Sequence, residues 1–179
     1  IYGCLVGSEM CIRDRTSKYT ELTKGKVFYD ELNDSPDYPR SYGLAGWTKN
    51  DRKILIYDRY DIWEFNPDDA TSRRLTKGRE TKTSFRYVKL DPEKRHIEDS
   101  RKMLMTTFNE ITKNSGYFEY NYRNKTGKQL KDGPFRYSTP IKARLTDNVI
   151  FSRQSFEEYP NIRISDLNFK SEKVISDVN

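Results

Sequence analysis

Histidine and cysteine are nearly missing from this sequence: 179 residues hold one histidine, His96, and two cysteines, Cys4 and Cys11. The two cysteines are too widely spaced for a zinc or redox pair and have no partner ligands nearby, so a thiolate metal site or disulfide framework is not expected. A single histidine leaves little room for acid–base catalysis. His96 follows a proline-containing turn and is expected on a strand edge as a packing or surface residue, not as a catalytic base. No G-x-S-x-G nucleophile elbow and no glycine-rich phosphate loop occur. Asp58, Asp61, Asp68 and Asp69 lack the glycine and closing glutamate of a calcium loop. No apolar run approaches the roughly 18 residues of a membrane helix. No cofactor and no metal is therefore expected.

What is abundant is aromatic and charged. Aromatics make up 13% of residues, including 13 tyrosines, against a hydrophobic content of only 34%; disordered chains lack aromatics, so the body is read as folded. The net charge is +6. Arg73, Arg74, Lys77, Arg79, Lys82 and Arg86 cluster, which as a function would suggest a nucleic-acid patch. Interleaved Glu80 and Asp91 and the lack of any nucleic-acid motif favour a solvated loop between structural units instead.

The strand signal is clearest in residues 46–65, GWTKNDRKILIYDRYDIWEF. Trp47 ends a short strand, residues 49–52 form a polar turn, and Ile54, Leu55, Ile56 and Tyr57 form a strand apolar on both faces. Residues 58–61 turn the chain, Ile62, Trp63, Glu64 and Phe65 form the next strand, and 66–69 turn again. Residues 73–76 supply an outer strand. Four strands in about 35 residues match one blade of a β-propeller. Trp47, Ile54, Ile56, Trp63 and Phe65 are its expected core.

The same grammar continues. In residues 84–130, Phe85, Tyr87 and Val88 mark an inner strand, Met103, Leu104, Met105, Thr106 and Phe108 a buried one, and Phe118, Tyr120 and Tyr122 share one face by period two. Residues 124–127 are a hairpin turn. A helix over 101–113 competes, but Thr106 and Thr107 are poor helix sequence. In residues 137–176, Ile141 and Ala143 belong to an inner strand, Asp147 and Asn148 to a turn, Val149, Ile150 and Phe151 to a strand, and Ile162 and Ile164 alternate with Arg163 and Ser165 as a half-buried strand. The chain is thus expected to be all-β: a partial β-propeller of about three consecutive four-stranded antiparallel blades, over residues 42–76, 84–130 and 137–176. Residues 18–24 read as the outer strand of a preceding blade. A full propeller needs more blades of ~40–50 residues each, so the sequence is expected to be a piece of a longer protein, cut at both ends.

Residues 1–15, IYGCLVGSEMCIRDR, fit none of this. They resemble a translated adapter segment found at the ends of gene fragments, and native sequence is expected from about Thr16, within a domain spanning 16–179.

The meander of residues 46–65, with residues 28–47 (FYDELNDSPDYPRSYGLAGW), 85–97 (FRYVKLDPEKRHI) and 151–179 (FSRQSFEEYPNIRISDLNFKSEKVISDVN), resembles the N-terminal β-propeller of the prolyl oligopeptidase family of serine peptidases, in family-like order. The resemblance implies a substrate-gating propeller whose catalytic triad lies in a C-terminal α/β-hydrolase domain of the parent chain, outside these residues. It implies a peptide substrate, and a periplasmic or secreted location with the cytoplasm as alternative. Dipeptidyl-peptidase relatives bind a substrate's amino terminus with paired glutamates, which makes Glu157 and Glu158 the candidate substrate-binding residues, although the surrounding SFEEYP departs from that motif. The alternative is a non-catalytic propeller of the TolB type, a protein-interaction platform; a basic nucleic-acid-binding β protein is the third reading.

Overall fold

The computed structural model of the chain describes residues 25–98 and 102–176. The expectations for residues 1–15 and 18–24, and both cysteines, lie outside the described residues. The fold is all-β: three consecutive antiparallel sheets, the blades of a partial β-propeller, each built on a four-strand meander in which neighbours in sequence pair in space. Blade 1 comprises β1 (Leu44–Trp47), β2 (Ile54–Tyr57), β3 (Ile62–Asn66) and β4 (Thr71–Arg74). A four-residue helix, α1 (Gly78–Thr81), leads to blade 2: β5 (Thr83–Tyr87), β6 (Lys102–Asn109), β7 (Ser115–Asn121) and β8 (Thr126–Gly133). Blade 3 holds β9 (Arg136–Tyr137), β10 (Ile141–Lys142), β11 (Asn148–Gln154), β12 (Asn161–Asp166) and β13 (Lys173–Val174). It has five strands, not four, because β9 also pairs with the far end of β11.

Several boundaries differ from those read in the sequence. The outer strand of blade 1 is residues 71–74, so Leu75 and Thr76 lie beyond it; Leu75 N–H still reaches Ile62 O, while the Thr76 hydroxyl turns to a buried aspartate. The β7–β8 turn is 122–125 rather than 124–127, and Asn148 is already in β11. The stretch after Arg101 is a strand, as β-branched Thr106 and Thr107 favour.

Side chains alternate across each middle strand, so every blade has two faces to cover. Between blades 1 and 2 lie Leu55, Tyr57 and Ile62 against Phe85, Met103, Met105 and Tyr120. Between blades 2 and 3 lie Leu104 and Tyr117 against Val149, Phe151 and Phe169; the Tyr117 and Phe169 rings stack at 4.2 Å. The outer face of blade 1 (Ile54, Ile56 and Phe65) is closed by Phe28, with Trp47 and Trp63 partly buried at its margin. β2 is buried throughout, as its apolar run requires. Two glycines admit close approach: a Cβ on Gly116 would sit 1.9 Å from Lys131 O across the β7–β8 pair, and one on Gly127 would meet the Phe118 ring at 2.0 Å.

In β12 the alternation holds with the polar set inside: Arg163 and Ser165 are buried at 8% and 3% exposure while Ile162 is 45% exposed. The cause is a set of carboxylates on the inner side, described next.

Candidate functional site

Glu157 and Glu158 lie in the 155–160 loop between β11 and β12. The loop is held by short-range polar contacts that its sequence dictates. Ser155 Oγ accepts N–H bonds from Glu157 (3.2 Å) and Glu158 (3.0 Å), and Ser155 N–H donates to Glu158 O (3.0 Å). Pro160 then fixes the entry into β12.

The two carboxylates have different fates. Arg153 grips Glu158 with a two-point fork, Nε to Oε1 at 3.0 Å and Nη2 to Oε2 at 2.8 Å, and Arg163 Nη2 adds a third bond at 2.6 Å. Arg163 Nη1 also reaches Glu172 Oε1 at 2.6 Å, and Glu172 pairs with Lys131 of β8. Five charges thus join loop, β11, β12 and the neighbouring blade. The hydrogen bond from Arg153 holds the Glu158 carboxyl below the usual carboxylate range despite some desolvation. Burial alone would raise Glu172, but Lys131 and Arg163 outweigh it and its pKa is also lowered. Arg153 covers the Phe135 ring at 4.4 Å as well. Arg163 Nε is buried without a hydrogen-bond partner.

Glu157, by contrast, is exposed, as are its neighbours Phe156 (106% exposed) and Tyr159 (57%). The structure therefore separates the pair: Glu158 ties the loop to its blade, and Glu157 stands in solvent beside an uncovered aromatic. Chemically, that tip offers one open carboxylate and one apolar ring, enough to meet an ammonium ion next to a hydrophobic group. Sequence reasoning found the glutamates but missed Phe156, Arg153 and Arg163. An aromatic inside a polar turn was the available signal for Phe156; nothing local marked the arginines.

His96 sits in a bend just before Ile97, whose bridge to Thr48 joins blades 1 and 2. It lines a cleft of about 500 Å³ to which all three blades contribute, through Gly46, Tyr87, Leu104 and Lys142. The cleft is not adjacent in sequence to the 155–160 loop, and the bend, not a strand, carries the histidine.

The basic cluster is largely neutralised within the fold. Arg73 pairs with Glu64 at 3.0 Å, Arg74 with Glu80 and, at 3.6 Å, with Asp61, and Arg79 with Glu31 at 3.1 Å and Asp58 at 3.4 Å. Arg86 donates to the backbone oxygens of Phe85, Asp58 and Arg59. Lys82, Arg59 and Arg79 surround the Tyr60 ring at 5.0–5.4 Å. At the centre of this corner Asp61, fully buried, accepts from Thr76 Oγ1 (2.6 Å), Gly78 N–H (2.5 Å) and Arg79 N–H (3.1 Å). Asp58 accepts from the N–H groups of Tyr60 and Asp61 and from Trp63 Nε1. The corner fastens blade 1 to blade 2. Among the described residues, no three His, Cys, Asp or Glu side chains gather as a metal-ligand group, and no helix is long and apolar enough to cross a membrane.

No known protein family and no curated protein matches the sequence. Solved structures similar to the chain include TolB from Acinetobacter baumannii, at 13% identity and a TM-score of 0.47, with 75% of this chain aligned to 33% of that one. A TolB candidate from Agrobacterium tumefaciens aligns at 14% identity and the same TM-score, with 76% of this chain on 51% of that one. The chain spans about a third to a half of the length of these structures.

Proposed function

We propose that the chain is the substrate-gating propeller portion of a serine peptidase of the prolyl oligopeptidase type, and that the tip of the 155–160 loop is where it meets a peptide. The observation that carries this reading is the division of labour in SFEEYP: Glu158 is fixed by Arg153 and Arg163, while Phe156 and Glu157 are presented to solvent. A recognition loop on a rigid scaffold has this form. Glu157 pairs with the amino terminus of a peptide, Phe156 packs on its first side chain, and Glu158 positions the loop. The bond-breaking groups belong to an α/β-hydrolase domain elsewhere in the parent polypeptide, and the proposed location is the periplasm, on the strength of the sequence resemblance alone. No cofactor enters this reading.

The test uses the full-length parent. A serine-reactive phosphonate should label it, and it should cleave a proline-containing fluorogenic peptide. E157Q should raise KM about tenfold for a peptide with a free amino terminus and leave the N-acetylated peptide unchanged, since one charge-assisted pair is lost. Absence of both labelling and cleavage would remove the peptidase assignment. The same exposed aromatic suits the second reading, a TolB-type protein-interaction platform. In that case F156A weakens binding to a partner protein in a parent that lacks any reactive serine.

A further inference from the structure

The segment between β5 and β6 leaves its sheet and returns, and both of its ends are pinned. Val88 N–H donates to Leu104 O at 2.9 Å, and Ile97 N–H donates to Trp47 O at 2.7 Å. Between them Asp91 turns the chain. Its side chain accepts the N–H of Glu93 (3.0 Å) and its carbonyl that of Lys94 (3.3 Å). The excursion forms one wall of the cleft of about 500 Å³, to which Lys142 and Asp147, flanking the β10–β11 turn, also contribute.

Part of the lining is apolar: Val88 and Leu104 are buried, and Leu90 and Leu167 partly so. The charges in the lining divide into two groups. Lys94 pairs with Glu98, Lys142 with Asp147 at 3.3 Å, and Lys102 with Glu119 of β7 at 2.9 Å. Lys89 and Arg95 are exposed and have no hydrogen-bond or ion-pair partner among the described residues, while Asp91 is engaged in its own turn. His96 is half-buried in the same wall, and neither of its ring nitrogens is hydrogen-bonded among the described residues. The cleft thus sets three uncommitted donors and an excess of one positive charge beside apolar surface. Small-molecule sites combine an apolar lining with a few such polar groups, in clefts of roughly 300–1,000 Å³.

We propose that this cleft binds an apolar monocarboxylate. The carboxylate accepts a two-point fork from Arg95 and further bonds from Lys89 and His96, and the apolar body lies against Val88, Leu90, Leu104 and Leu167. Two features set the class. One uncompensated positive charge balances one negative charge, whereas a phosphate dianion would bring a second charge up against Asp91. The apolar lining in turn rewards an anion that has a hydrocarbon part to bury. This chemistry is shared by the C-terminal residue of an apolar peptide and by a medium-chain fatty acid. The site is separate from the 155–160 loop. The seven residues of β11 lie between them, about 20 Å of strand. The ligand is therefore not the amino terminus met by Glu157, and the site does not depend on the peptidase reading.

The experiment uses the fact that the chain has one histidine. The untagged 179-residue chain, carrying isotope-labelled histidine, gives imidazole signals from His96 alone. Decanoate and an N-acetylated tripeptide of apolar residues are titrated at fixed pH, each against its neutral amide. The expected result is a saturable shift of the His96 signals by the carboxylates, with binding of the amides about tenfold weaker. R95Q and K89Q should each weaken carboxylate binding about tenfold, and K125Q, in the exposed β7–β8 turn, should leave it unchanged. Tighter binding of the peptide makes a peptide terminus the source of the carboxylate, and tighter binding of decanoate makes it a fatty acid; both support the proposal. Absence of a saturable shift overturns it, as do equal affinities for carboxylates and amides, or R95Q and K89Q behaving like K125Q. Phenyl phosphate binding tighter than either carboxylate also overturns it. The readout needs no hydrolase domain, so loss of phosphonate labelling in the parent and loss of this shift are separate results.

Discussion

Asp61 shows how much of this fold hangs on single polar residues. Its carboxylate, with no exposure to solvent, replaces water for a hydroxyl and two backbone N–H groups at positions 76, 78 and 79. Removing it leaves these donors buried and unpaired, each costly in a dry environment. D61A should lower stability by about 3 kcal/mol or more, read as a shift of the urea midpoint at constant slope. D69A is the control, since Asp69 bonds only locally to Thr71 in an exposed turn and should shift the midpoint little. A midpoint for D61A within error of D69A would show that the corner is not a structural anchor. The sequence marks both aspartates as turn residues, because aspartate favours turns. It cannot distinguish the one that bonds two residues away from the one that reaches 15 residues along the chain. That reach is set by the packing of α1 against the β2–β3 hairpin, a tertiary fact.

At the level of the strand, alternation was readable and its sense was not. Period two sorts β12 correctly into Ile162 with Ile164 and Arg163 with Ser165 and picks out β7, while apolar runs between turn signals locate β2, β3 and β6. Hydrophobicity alone would turn the isoleucines inward. The structure puts Arg163 inside because Glu158 and Glu172 converge on it from a loop and from the approach to β13; a buried arginine needs such partners. The candidate site was half legible for the same reason, since the glutamates are adjacent in sequence while the arginines that divide their roles are brought in by pairing. The network makes a pH prediction. Glu158 and Glu172 both have folded pKa values below the ordinary carboxylate value of about 4.3. Their contribution to stability is therefore complete above that value and is lost as pH falls through the depressed folded values. Urea midpoints should hold steady from pH 7 to about pH 5 and drop below about pH 4.5. E172Q should cost about 2–3 kcal/mol at pH 7 by leaving Arg163 short of a partner, and should show a shallower acid drop than the unsubstituted chain. Parallel acid profiles for the two would remove Glu172 from the network's energetics.

Across the whole molecule, stability is set by how many faces of each blade are covered. Repeated sheets that touch only their neighbours behave as a chain of coupled units, each held by its own strands and by one or two interfaces. Blade 2 is covered on both sides, by Leu55 and Tyr57 on one and by Val149, Phe151 and Phe169 on the other. Blade 1 is closed on its outer side by Phe28. Blade 3 has one covered face and one bare, and its last strand is only two residues long. Amide exchange should therefore be slowest in β6 and β7, intermediate in β2 and β3, and fastest in β12 and β13, since local opening is easiest where few apolar contacts are lost. Exchange by mass spectrometry on the 179-residue chain checks the order; β12 protected as well as β6 would contradict it. The consequence bears on the loop at 155–160. Glu158 fastens that loop to β11 and β12, so the tip carrying Phe156 and Glu157 shares the fate of the least supported blade. In the 179-residue chain the tip should then exchange in step with β12, whereas E158Q, which loosens the forks to Arg153 and Arg163, should speed exchange at 156–159 while leaving β12 nearly unchanged. Equal acceleration of both would mean that the arginine network holds the blade, and not the loop, in place.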